Sequence, residues 1–121
     1  MENKYLPILF RIEKVMVEEY ESNNIATGYS AKVVIDSLAY FYKNGKQKTA
    51  NLSQSETDLQ SKISAELNKI LGTKIGDNTV SKESIVYCLN QVDKSIERWS
   101  KSNGPTGYFE FVKRYVDRNV L

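Results

Sequence analysis

Apolar residues recur every three or four positions in five segments of the chain, and no segment alternates cleanly between apolar and polar residues. This spacing stacks apolar side chains on one face of a helix, so it predicts helices rather than strands. The predicted helices cover about residues 4–22, 30–44, 53–71, 81–101 and 106–118. The fourth has the strictest pattern, and its apolar seam consists of Ile85, Leu89, Val92, Ile96 and Trp99.

Residues that favour helix ends support these boundaries. Ser30 is predicted to cap the start of the second helix, and Gly45 suits a left-handed cap at its end. Ser53 and Glu56 have the spacing of a capping box at the start of the third. Ser81 is the predicted cap of the fourth, with a hydrophobic staple from Val80 to Ile85.

The segments between these helices are short, and none has the length or composition of an interdomain linker. The chain of 121 residues, 40% of them hydrophobic, is long enough to bury one core. The sequence therefore predicts an all-α fold, a single compact bundle of about five helices that forms one domain over residues 1–121.

The second helix is apolar almost all round, and the fifth over about half of its circumference. The second is expected near the centre of the bundle, covered by neighbouring helices or by another subunit. A monomer of this size has few places to bury so much apolar surface, which favours a homodimer. The candidate interface residues are Tyr40, Tyr42, Tyr108, Phe109, Phe111 and Tyr115.

The composition argues against several kinds of chemistry. The chain has no histidine and one cysteine, Cys88, which disfavours imidazole catalysis and the usual metal sites. No enzymatic activity, cofactor or metal is therefore expected. Cys88 itself falls beside the apolar seam of the fourth helix, where a small buried hydrophobe is expected.

The first ten residues, MENKYLPILF, lack the pattern of a signal peptide, and no apolar run is long enough to cross a membrane, so a cytoplasmic protein is expected.

Glu13 falls within the apolar arc of the first helix. A carboxyl group held there would have its pKa raised by desolvation, as general acids do. The alternative is a structural role, at the edge of the arc or bonded to a tyrosine hydroxyl. The nearby glutamates 18, 19 and 21 are expected to form a solvated helix end.

Two glycine pairs superficially resemble phosphate-binding loops. Gly72 and Gly76 are too close for a Walker loop, and Asp77 would repel a phosphate, so a helix cap and turn are expected. Gly104 and Gly107 match the GXXG pattern of KH domains over four residues, without the basic residues of that loop. The simpler interpretation is a helix cap followed by a new helix.

The last two predicted helices carry a cluster of cations, although the net charge of the chain is only +2. This basic face could follow a nucleic-acid backbone, and two helices joined by a short turn also occur in helix-turn-helix proteins. A solvated surface is the simpler interpretation. The basic face consists of Lys94, Arg98, Lys101, Lys113, Arg114 and Arg118.

From the sequence we therefore expect a small, non-enzymatic helical protein that binds other proteins, most simply a second copy of itself. Nucleic-acid binding through the basic face is the alternative.

Overall fold

The computed structural model describes residues 5–47 and 51–119, and it confirms an all-α bundle of five helices. The helices are α1 (Leu6–Glu21), α2 (Gly28–Asn44), α3 (Gln54–Ile70), α4 (Lys82–Asn103) and α5 (Gly107–Asn119). Helix α4 packs along α2, α1 and α5, while α3 covers α1 and α2 from the other side.

Most of the predicted helix ends are confirmed. The side chains of Ser53 and Glu56 form the capping box of α3, with Ser53 Oγ accepting from the Glu56 backbone N–H at 3.1 Å. Ser81 caps α4 by accepting from the Ser84 N–H, and both residues of the staple, Val80 and Ile85, are buried. Gly45 ends α2 in the left-handed region at φ +72°.

The predicted start of α2 was wrong by one turn. The N-cap is Thr27, whose side chain accepts from the backbone N–H of Ser30, so Ser30 lies inside the helix. The earlier start is stabilised by Gly28, whose backbone N–H donates to the Pro105 carbonyl at 2.8 Å. That bond joins the start of α2 to the loop before α5, a contact between distant residues that the local pattern did not indicate.

The connector between α3 and α4 contains a short β-hairpin that the helical pattern did not predict. Strand β1 (Lys74–Ile75) pairs antiparallel with β2 (Asn78–Thr79) across a two-residue turn at Gly76 and Asp77. Gly76 has φ +62°, which explains the glycine at this position. The loop from Gly72 is therefore a helix end followed by a hairpin, and the backbone N–H of Gly72 is bonded to the Val80 carbonyl.

Helix α2 is more exposed than its sequence predicts. Its inner face is buried against α3 and α4, but Tyr29 is 51% exposed and Val33 is 43% exposed, one turn apart. Tyr40 is half-buried on the same outer stripe. The helix is therefore central on one side only.

Candidate functional site

A pocket of about 250 Å³ lies where α1, α4 and α5 meet. Each helix contributes residues spaced three or four apart, because that spacing places them on the side that turns toward the junction. Its lining is Leu6, Leu9 and Glu13 from α1, Gln91, Val92 and Ser95 from α4, and Tyr108, Phe111 and Tyr115 from α5. We call this the Glu13 pocket.

Glu13 is the single ionisable carboxyl or amine among the residues that line this pocket. Among the hydrogen bonds and ion pairs of residues 5–47 and 51–119, none involves its side chain. Burial raises the pKa of the Glu13 carboxyl from the ordinary 4.5 to about 7. The group is therefore partly ionised near neutral pH. The sequence left open whether Glu13 has a raised pKa inside the arc or a structural role at its edge, and the raised pKa agrees with the first alternative.

Tyr108 is the most deeply placed ring of the pocket, with 1% of its surface exposed. Its hydroxyl has no hydrogen-bond partner among the described residues. Burial, and to a lesser degree the negative charge of Glu13, raises the pKa of this phenol. An unpaired polar group in the interior is costly, and this hydroxyl belongs to a pocket that also holds the half-buried Glu13 carboxyl.

The charge of Glu13 affects the pKa values of two other groups, which lie on the neighbouring helices. The pKa of the Cys88 thiol on α4 is raised to about 12, mainly by burial and partly by Glu13. Burial and Glu13 also raise the pKa of the Tyr115 phenol on α5. Both groups remain neutral while Glu13 titrates, and Cys88 is fully buried as predicted.

The mouth of the pocket is apolar. Leu6 and Phe111, on opposite helices, are each 43% exposed. The ring of Phe111 stacks on Trp99 with 4.1 Å between ring centroids, so it is held at the rim by α4. The most exposed residues of the lining are therefore apolar.

This arrangement is suited to binding. Among the described residues, no group of three or more His, Cys, Asp and Glu side chains could hold a metal ion. Besides the Glu13 carboxyl, the lining supplies two phenols with raised pKa values, Tyr108 and Tyr115, and the hydroxyl of Ser95. A single carboxyl in apolar surroundings can bind a cation, or a hydrogen-bond partner when it is protonated.

A wider hollow of about 700 Å³ lies between the end of α2 and the start of α4. Lys43, Lys82 and Glu83 are exposed around it. Tyr42, its most buried lining residue, already donates a hydrogen bond to Asn68 Oδ1 at 2.8 Å. This hollow therefore lacks an unpaired buried group like the Tyr108 hydroxyl of the Glu13 pocket.

The six candidate interface residues do not form one surface. Tyr42, Tyr108 and Phe109 are buried in the chain's own core, so their rings are covered without a second subunit. Tyr40 and Tyr115 are half-buried, and Phe111 is exposed. Phe111 and Tyr115 lie at the Glu13 pocket on α5, whereas Tyr40 belongs to the outer stripe of α2.

The basic face is divided by ion pairs. Lys101 pairs with Glu97 at 3.1 Å within α4, and Lys113 pairs with Glu21 of α1 at 3.2 Å. The remaining cations are exposed and have no ion pair among the described residues; they are Lys94, Arg98, Arg114 and Arg118. Nucleic-acid binding by this face stays a prediction.

Glu19 is a buried acid that the sequence pattern placed in solvent. It is 5% exposed, pairs with Lys62 of α3, and accepts a hydrogen bond from the Asn24 side chain. Glu18 and Glu21 are exposed, as expected for the end of α1. The correction arises because Lys62 is 43 residues away in sequence, and helical periodicity gives no sign of that contact.

No family model, curated protein or solved structure matches this chain. Within the described residues, no helix combines the length and the hydrophobicity needed to cross a bilayer.

Proposed function

We propose that this chain is a non-enzymatic binding protein and that the Glu13 pocket is its ligand site. The observation that supports this most directly is the Glu13 carboxyl itself. It lies in a pocket walled by apolar and aromatic side chains, and no described residue neutralises it or donates a hydrogen bond to it. Burying such a group without a partner costs stability, and a bound ligand would offset that cost.

The size of the pocket limits the ligand to a small molecule. Pockets for drug-sized ligands measure roughly 300–1,000 Å³, whereas an apolar cavity of about 150 Å³ accommodates benzene. At about 250 Å³, the Glu13 pocket is suited to a molecule with one aromatic ring or a short branched chain. Such a ligand would contact all three helices at once.

The proposal is tested by titrating the full chain with single-ring probes, including phenol, and following backbone amide shifts by NMR. We expect saturable shifts at residues of α1, α4 and α5 around the pocket. Ser95→Phe should abolish them, because Ser95 lines the pocket and the added ring would fill it. Ser102→Phe is the matched control, because Ser102 is exposed near the end of α4.

Circular dichroism and thermal unfolding establish that both variants are folded. The proposal fails if no single-ring probe, charged or uncharged, gives saturable shifts. It also fails if Ser95→Phe folds and binds the probe as tightly as Ser102→Phe does.

Self-association, the function expected from the sequence, is a second candidate. The observation that favours it is the outer stripe of α2, in which Tyr29 and Val33 are exposed and Tyr40 is half-buried. The proposed occupant is a second copy of the chain. An antiparallel pairing centred between Val33 and Asp36 would place Tyr29 of each copy opposite Tyr40 of the other.

A further inference from the structure

We propose that the Glu13 pocket takes a small hydrophobic amine in its protonated form, with the ammonium group at the Glu13 carboxylate and the apolar body against the helix walls. This inference rests on the proposed ligand-binding function and adds the chemical class of the ligand. It is argued from the charge, the rings and the dimensions of the pocket.

Charge complementarity favours a cation. The Glu13 carboxylate has no ion pair among the described residues, although six of the acids elsewhere in the described chain have a cation within 4 Å: Glu19, Glu21, Asp36, Glu66, Asp93 and Glu97. An ammonium group would give Glu13 the partner that these acids already have. An anionic ligand would instead be repelled by the carboxylate and would find no cation in the lining.

The aromatic lining favours the same class of ligand. Tyr108, Phe111 and Tyr115 lie on one helix, and all three rings border the pocket. The faces of aromatic rings attract cations, and the attraction is larger where water is excluded. The apolar part of the ligand would contact Leu9 and Val92, which are the aliphatic residues deeper in the lining.

Glu13 must be ionised for this ion pair to form, so the affinity should depend on pH. In the free protein the pKa of Glu13 is about 7, and a bound ammonium group would lower it. Affinity should therefore increase as the pH rises from about 5.5 to 8, and binding near the lower end should release a proton. The ionisable groups on α4 and α5 that the charge of Glu13 affects are Cys88, Tyr108 and Tyr115, and their raised pKa values keep them neutral over this range.

The decisive comparison uses three probes of similar size: phenethylamine, phenethyl alcohol and phenylpropionate. They are cationic, uncharged and anionic at about pH 8. With the full chain we expect the amine to bind at least about tenfold more tightly than the alcohol, as is usual for a hydrogen bond to a charged group. The anion should bind more weakly than either.

The Glu13→Gln variant should remove the preference for the amine and leave the affinity for the alcohol nearly unchanged. The Glu18→Gln variant, which changes an exposed acid of the same helix, should keep the preference. Calorimetry in buffers of different ionisation enthalpy would detect the proton released below pH 7 from the unmodified chain.

The outcomes separate this inference from the proposed function. If amine and alcohol bind equally and Ser95→Phe blocks both, the pocket is a ligand site without charge selectivity, and the inference is overturned while the function stands. Preferred binding of phenylpropionate would also overturn the inference. If none of the three probes binds, both proposals fail.

Discussion

Glu13 on α1 and Tyr108 on α5 line the same pocket, and neither polar group has a hydrogen-bond partner among the residues that the structure describes. The charge of Glu13 helps to raise the pKa of the Tyr108 phenol, which is fully buried, whereas Glu13 is half-buried. Each therefore costs folding free energy that the remaining contacts of the bundle must offset. Substitutions at these two positions should reveal that cost in the free energy of unfolding.

Replacing Glu13 by glutamine should stabilise the protein at alkaline pH. The pKa of Glu13 is about 7 in the folded chain and 4.5 in the absence of the fold, so the folded state holds an extra proton between these values. Stability should therefore fall as the pH rises from about 4.5 to 7 and then level off. Above pH 7 the cost should be about 3 kcal/mol, and Glu13→Gln should remove most of it.

Urea unfolding curves measured at several pH values test this prediction. Below about pH 4.5 the variant and the parent should differ little, because the carboxyl is then protonated in both the folded and the unfolded states. Glu18→Gln, on an exposed part of the same helix, provides the control for the loss of one negative charge. A parent chain that becomes more stable between pH 5 and 7 relative to Glu13→Gln would contradict the burial of Glu13.

Two tyrosine-to-phenylalanine substitutions should have different effects on the free energy of unfolding. Tyr42→Phe deletes the hydroxyl that bonds to Asn68 Oδ1 and links α2 to α3, and it should cost about 1 kcal/mol. Tyr108→Phe deletes a buried hydroxyl without a described partner, and it should be neutral or stabilising by up to about 1 kcal/mol. Both residues are at most 5% exposed, so each is the control for the other. Equal destabilisation in chemical unfolding would show that the Tyr108 hydroxyl makes a stabilising hydrogen bond.

Gly107→Ala should destabilise the protein by about 1–3 kcal/mol through overpacking. A Cβ atom at this position would lie 2.5 Å from the Asn103 Cβ and 2.7 Å from the Trp99 carbonyl oxygen. The glycine therefore allows α5 to start close against the last turn of α4. Ser102→Ala, at an exposed position nearby, should change the free energy of unfolding by less than about 0.5 kcal/mol.

The stability of the Gly107→Ala variant would also show whether the Gly104–Gly107 segment serves as a structural turn. Gly104 ends α4 at φ +86°, and its backbone N–H donates to the Ser100 carbonyl, which confirms the predicted helix cap. If both glycines serve the turn between α4 and α5, Gly107→Ala should lower stability. An unchanged midpoint of unfolding would mean that close packing does not require Gly107.

The helices were predictable because their causes are local. The Ser53 capping box, the Ser81 cap and the seam that begins at Ile85 each depend on residues within a few positions of one another. Glu13 was also recognised as a carboxyl in an apolar arc, because its own helix supplies that arc. The fold class therefore followed from local patterns, and so did the place of Glu13 within an apolar arc.

The features that periodicity missed depend on contacts between distant residues. Thr27 caps α2 locally, but the bond from Gly28 to Pro105 that reinforces this start is long-range, and Glu19 is buried where it pairs with the distant Lys62. The Glu13 pocket likewise needs Ser95 of α4 and Phe111 of α5 beside α1. No spacing within one helix specifies which faces of three helices will meet, so the lining could not be read from the sequence.

The outer stripe of α2 gives the last prediction. If the chain self-associates through this stripe, Val33→Glu should shift the monomer–dimer equilibrium toward monomer, because the antiparallel pairing would place the new carboxylate opposite Asp36 of the other copy, and like charges repel. Ser61→Glu, at an exposed position of α3, is the matched control and should leave the mass unchanged. Size-exclusion chromatography with light scattering at tens of micromolar protein measures the effect directly. Two exposed residues and one half-buried ring form a small contact, so a weak dimer that dissociates on dilution is expected. A monomeric mass for the unmodified chain at the highest concentration would remove self-association as a function, and it would leave ligand binding at the Glu13 pocket untouched.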